Sequence, residues 1–141
     1  MRLVLDTNAV VAGLLWNGHP RRLLDLAING DVALFSSPAL IDELAHTLNY
    51  SKFSQRIAAH CATTPSALTV RYSALVTLVT PSEVPQVIEQ DADDDQVLAC
   101  ALAANVNLIV SGDKHLHGLG GAYQGIPIVT PAEAIHAVGA K

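Results

Sequence analysis

Two short runs, Leu3-Val4-Leu5 and Leu108-Ile109-Val110, are apolar at every position, and an aspartate follows each within three residues. A strand that alternates apolar and polar residues can keep one face in water, whereas one that is apolar throughout must be covered on both faces. Helices on both sides of a parallel sheet give that coverage, so these two runs are expected at the sheet centre. The spacing predicts strands at 3–5, 32–35, 75–80, 107–110 and 126–129, with helices at 9–15, 20–28, 38–48, 51–60, 65–74, 95–104 and 131–138. Pro38, Pro65 and Pro131 each follow a Ser or Thr, a common helix start, because proline at the first helical position gives up only an amide that would be unpaired anyway. Segments 81–85 and 118–125 read as loops. No repeat, low-complexity tract or linker interrupts the pattern.

A chain of 141 residues fits one domain, 1–141, and a domain of this size buries about two thirds of the surface its unfolded form exposes. Half of the residues are hydrophobic and only 4% are aromatic, so the core must be built of Leu, Val, Ala and Ile. The apolar surplus leaves room for a surface patch that meets another subunit or protein. A net charge of −5 is the wrong sign for holding nucleic acid by phosphate neutralisation alone. Any such substrate must be held locally, as by cations seated on carboxylates. Cys61 and Cys100 form no metal-binding or redox pattern and read as reduced core thiols. With Asp6 interrupting the apolar start and no stretch reaching the roughly 18–20 apolar residues of a membrane span, a cytoplasmic location is expected.

The acids carry the chemistry. Asp6 directly follows the first strand, at the carboxyl edge where open parallel sheets bind ligands, or else it caps the helix that begins near Ala9. Asp113 holds the matching place after Val110-Ser111-Gly112, where Gly112 is expected to permit a tight turn; the alternative is a solvated turn aspartate. Glu43 borders the apolar stripe of Leu40, Leu44 and Leu48, although such a glutamate is more often on the surface. Residues 91–95 hold four aspartates, of which at least two are expected to be caps or solvated, since acids also complement a helix N-terminus. The rest suit a hard cation such as magnesium or manganese. If these acids converge on one sheet edge, with no Ser, His or Cys nucleophile arrangement beside them, a water activated by a divalent ion is the expected attacking group on a phosphodiester.

In order and spacing, Val4-Leu5-Asp6-Thr7-Asn8, Asp42-Glu43-Leu44, Asp93-Asp94-Asp95 before Leu98-Ala99, and Ser111-Gly112-Asp113-Lys114-His115-Leu116 resemble the PIN domain, in particular the VapC-like toxins of toxin–antitoxin systems. The closing Ile126-Pro127-Ile128-Val129-Thr130-Pro131 fits the same group, so the resemblance covers nearly the whole chain. It implies a three-layer α/β/α sandwich around a mostly parallel sheet of about five strands. It implies, too, an acidic tetrad at Asp6, Glu43, Asp95 and Asp113, with Asn8 and Ser111 as polar supports. Asp95 is preferred to Asp94 because the family's third acid stands three residues before the aliphatic that is here Leu98. By the same resemblance the activity is endonucleolytic cleavage of single-stranded RNA with Mg2+ or Mn2+, in a homodimer silenced by a cognate antitoxin.

Other residues invite weaker readings. Lys114 is the candidate substrate contact, and Arg21, Arg22, Lys52 and Arg56 are candidate phosphate contacts or ordinary surface charges. His115 and His117 flank Asp113, where substrate contact or exposure is expected rather than ligation. Trp16 is expected in the core or at a dimer interface rather than stacked on a base. Two competing functions are an aspartate-nucleophile phosphatase of the haloacid-dehalogenase kind, against which Asn8 replaces that class's second acid, and a non-catalytic interaction module.

Overall fold

The computed structural model describes residues 1–84 and 92–139, with the backbone alone at Ala92, Asp93, Lys114 and His115. Six strands form one sheet in the order β3-β2-β1-β4-β6-β5, comprising β1 (Arg2–Leu5), β2 (Ala33–Ser36), β3 (Thr77–Leu78), β4 (Leu108–Val110), β5 (Ala122–Tyr123) and β6 (Ile126–Val129). The helices are α1 (Thr7–Leu15), α2 (His19–Ile28), α3 (Pro38–Leu48), α4 (Ser51–Arg56), α5 (Pro65–Leu75), α6 (Ala92–Ala104), α7 (Lys114–His117) and α8 (Pro131–Gly139). As expected from their unbroken apolar character, β1 and β4 are central and parallel, with Val4 opposite both Phe35 and Ile109 and Leu5 opposite Val110.

Successive strand residues alternate between two cores. Leu3, Leu5, Leu34 and Val110 join Leu23, Leu44 and Tyr72 on one face, while Val4, Phe35 and Ile109 join Leu98, Ala101 and Leu116 on the other. A side-chain period of two, apolar on both sides, is what makes the molecule three-layered. α6 closes the second face, and Arg2 ties its end to the sheet: the guanidinium donates to the carbonyls of Ala104 and Asn105 and lies 4.4 Å from the centre of the Phe35 ring.

The expected elements shift where local chemistry decides. The sixth strand, β5, lies in the segment read as a loop, antiparallel to β6. Gln124 and Gly125 both have positive φ, 48° and 81°, the backbone of a two-residue I′ hairpin turn that Asn-Gly more often announces. α6 begins at Ala92 rather than at position 95, because aspartates favour a first helical turn. The expected helix over 51–60 keeps α-geometry only to Arg56 and then widens into a π-helical turn over Ile57–Cys61, which places Ile57 fully inside. Residues 81–84 are irregular as expected, while position 85 of that loop lies outside the described residues.

The crossing of α1 and α2 depends on Gly13. A Cβ there would meet Leu24 Cδ1 at 2.9 Å and the Pro20 carbonyl oxygen at 3.0 Å. Gly13→Ala should therefore cost about 1–3 kcal/mol through overpacking, despite alanine's helix preference of about 1 kcal/mol over glycine. Urea unfolding checks the sign, and a more stable variant would show that the two helices separate freely.

Candidate active site

Asp6 stands where β1 ends and α1 begins. Its backbone N–H still donates to Val110 O at 3.0 Å, the last rung of the central ladder, and its side chain points back into the protein, only 4% exposed. The residue stands at the carboxyl edge and also caps α1. Oδ1 accepts from the Ala9 N–H at 2.8 Å as the α1 cap, while Oδ2 accepts from the Ser111 hydroxyl. Burial pushes the Asp6 carboxyl up from its ordinary value; the bonds from Ser111 and Ala9 oppose that, nearby Asp113 adds to it, and His117 opposes it weakly.

Ser111 joins the two strand-end acids. Its N–H donates to Val129 O at 2.9 Å, and its hydroxyl, while donating to Asp6, accepts the Asp113 N–H at 2.8 Å. This serine turn shapes the link to Asp113: Gly112 lies outside the positive-φ set and has open space where a Cβ would be, so the turn does not draw on the freedom that glycine was expected to lend it. α7, too short to show a helical period in the sequence, follows with His117 N donating to Asp113 O at 3.1 Å and His117 Nε2 lying 2.6 Å from Ser111 O.

The other expected acids sit on elements that open at the same edge. α3 leaves the carboxyl end of β2, and Glu43 is half-buried about 8 Å along it by the rise of 1.5 Å per residue. α6 leads down to β4, so its first turn also lies at the carboxyl edge, and there Asp94 and Asp95 are 5% and 6% exposed. Asp94 is thus as deeply placed as the preferred Asp95. The signal was present in the spacing, since Asp94 precedes buried Val97 by three residues just as Asp95 precedes buried Leu98. Asn8 is exposed in the first turn of α1. Asp91 and the side chains of Asp93, Lys114 and His115 lie outside the described residues. Among the described residues, no three His, Cys, Asp or Glu side chains form a group that could hold one metal ion, and Ser111 links Asp6 to Asp113 through its hydroxyl.

Away from this edge, Trp16 is 41% exposed, its ring covered by the Arg56 guanidinium at 4.4 Å, so of the two expected places, core or dimer interface, it does not take the core. It lines a cleft of about 770 Å³ with Arg21, Ile28, Arg56 and Arg71. Lys52 rests on the Phe53 ring at 4.9 Å, and Arg22 is exposed on α2. Both cysteines are free thiols, and burial pushes that of Cys100 up to about 12. Among the described residues, no helix is long and apolar enough to cross a membrane.

The donors suit a hard divalent cation. A buried carboxylate whose ionisation is opposed by desolvation and by a second acid gains most from a nearby positive charge. Magnesium takes all-oxygen ligands, commonly one or two carboxylates with waters and substrate phosphate completing its shell, so a linked pair of acids fits it without a protein cage.

Fold and site together define a class of α/β domain that gathers carboxylates at the carboxyl edge of a parallel sheet. The chain belongs to the PIN-domain family, whose model matches residues 2–115. In structure it is similar to VapBC2 from Rickettsia felis, solved bound to a DNA fragment from their promoter: the TM-score is 0.59 at 17% identity, over 92% of this chain and 98% of that one. No curated relative matches the sequence.

Proposed function

We propose that this PIN domain is an endoribonuclease that hydrolyses phosphodiester bonds of single-stranded RNA with Mg2+ or Mn2+, acting as the toxin of a toxin–antitoxin pair. The observation that carries the reading is the linked pair at the edge of the sheet, with Asp6 and Asp113 both fixed by Ser111. Asp6 and Asp113 would hold the ion, with Asp95 and Glu43 completing the set directly or through water. When bound, such an ion lowers the pKa of a coordinated water and offsets charge on the phosphate. The protein's own part is orientation. The Ala9 amide and the Ser111 hydroxyl hold one carboxylate oxygen each, so the plane of the Asp6 carboxylate is fixed while lone pairs remain on both oxygens. Lys114 is the proposed substrate contact and Asn8 a supporting group.

Single-stranded RNA and a homodimeric state come from the family resemblance, and a cytoplasmic location from the reduced thiols and the acid-interrupted start of the sequence. A cognate antitoxin is supported by the similarity to VapBC2, and the exposed Trp16 and Ile28 beside the cleft give such a partner apolar surface to cover. One observation favours a second reading, a non-catalytic PIN module: the described residues contain no ready-made three-ligand group. An aspartyl phosphatase is disfavoured, because Asn8 stands where that class carries its second acid.

End-labelled single-stranded RNA incubated with the purified protein decides between the two. Cleavage should stop on chelation with EDTA and return with added Mn2+. Cleavage indifferent to EDTA contradicts the metal mechanism, and no cleavage with either ion favours the non-catalytic module.

A further inference from the structure

We infer that His117 is the positioning residue of the acidic pair, clamping Ser111 so that Asp6 and Asp113 stay poised for one cation. The inference rests on the metal-dependent reading above for its consequence, though not for its geometry.

Ser111 must point its hydroxyl two ways, toward Asp6 Oδ2 and toward the Asp113 N–H at 2.8 Å. That demands a fixed main chain, and the next residue, Gly112, supplies the least restraint of any amino acid and has no heavy atom within 4 Å of where a Cβ would be. Two contacts offset this freedom. β6 holds the Ser111 amide through Val129 O at 2.9 Å, and His117 holds the Ser111 carbonyl with Nε2 at 2.6 Å. A carbonyl oxygen only accepts, so the imidazole must carry its proton on Nε2 and donate. The one turn of α7 is what delivers the ring, since its backbone closes from His117 N onto Asp113 O at 3.1 Å. The loop from 111 to 117 is therefore closed twice, by backbone and by imidazole, around the second acid. Without the ring, the Ser111 carbonyl is free to turn, and the hydroxyl that spans the two acids turns with it.

The sequence offers no metal-ligand spacing for this histidine, and none is needed. Groups that orient ligands rather than bind the ion change affinity or activity by about 10–100-fold when removed. His117→Leu removes the donor at similar volume, and His117→Gln returns an amide N–H in nearly the same place.

Three measurements on the intact protein test the assignment. In the Leu variant without metal, the Asp113 amide should exchange with solvent about tenfold faster while core amides are unchanged. Mn2+ affinity, read by electron paramagnetic resonance without RNA, should fall by about tenfold or more, and kcat should fall with it at unchanged KM. The Gln variant should recover all three to within about threefold of wild type. An Asp113 amide and an Mn2+ affinity that match wild type in His117→Leu overturn the inference, and so does failure of Gln to rescue. If the Leu protein does not fold, His117→Ala is read by the same criteria. Should the wild-type protein itself bind no Mn2+, the metal-dependent reading falls, while the Asp113 exchange still decides what His117 holds.

Discussion

Asp6→Asn is expected to lower metal-dependent cleavage of single-stranded RNA on the order of a thousandfold, the several kcal/mol that a lost ion contributes to a charged transition state, while the protein stays folded. Asparagine caps helices as well as aspartate and still offers an oxygen to the Ala9 amide, so α1 should begin where it does now. The charge itself is no asset to the metal-free fold. Burial raises the Asp6 carboxyl above its ordinary 3.8, so its contribution to stability is complete below that value and is lost as pH rises through the folded value. Metal-free wild type should therefore lose stability from acid toward neutral pH in a step that the Asn variant lacks. Adding Mn2+ at neutral pH should raise the Tm of wild type and leave that of the variant unchanged. Thermal melts across pH, with and without Mn2+, check both statements, and a variant with wild-type nuclease activity contradicts the proposed role of Asp6.

The largest loss of stability is expected from Ile109→Ala. Ile109 is fully buried at the middle of β4, between Val4 of β1 and Ile128 of β6, and packs into the core beneath α6. Removing its three terminal carbons costs about 2–5 kcal/mol, because transfer and cavity terms add where the surroundings cannot collapse. For a domain of this size that lowers Tm by on the order of 10 °C, whereas Ile109→Val should cost no more than about 1.5 kcal/mol. A loss below about 1 kcal/mol for Ala, read by urea unfolding, would mean that the layer under α6 is not tightly packed.

The sheet centre was legible because it obeys a rule with little freedom. Leu3-Val4-Leu5 and Leu108-Ile109-Val110 could not be half-exposed, and in the structure their side chains alternate between two separate cores. The placement of Asp6 followed from that, since a residue just beyond a central strand must stand at the sheet edge. Less visible features are those fixed by a single tertiary contact. The hairpin that makes β5 uses Gln124-Gly125, a turn whose first residue gives little warning of positive φ. α7 is one turn long and shows no period to read. Gly112 permits a tight turn on sequence grounds, yet the turn belongs to the Ser111 hydroxyl, whose two partners come from chain segments far apart. Asp94 was set aside for Asp95 by analogy, while burial treats the two alike. For Trp16 the sequence leaves core and dimer interface open, and Arg56, 40 residues away in the chain, stacks on it at the surface.

An anomalous difference map from crystals soaked in Mn2+ tests the central claim most directly. The account predicts a manganese peak at the carboxyl edge of the sheet, beside Asp6 and Asp113, the residues that would hold it with Asp95 and Glu43. A map with no peak at that edge, or with manganese bound only elsewhere, would contradict it.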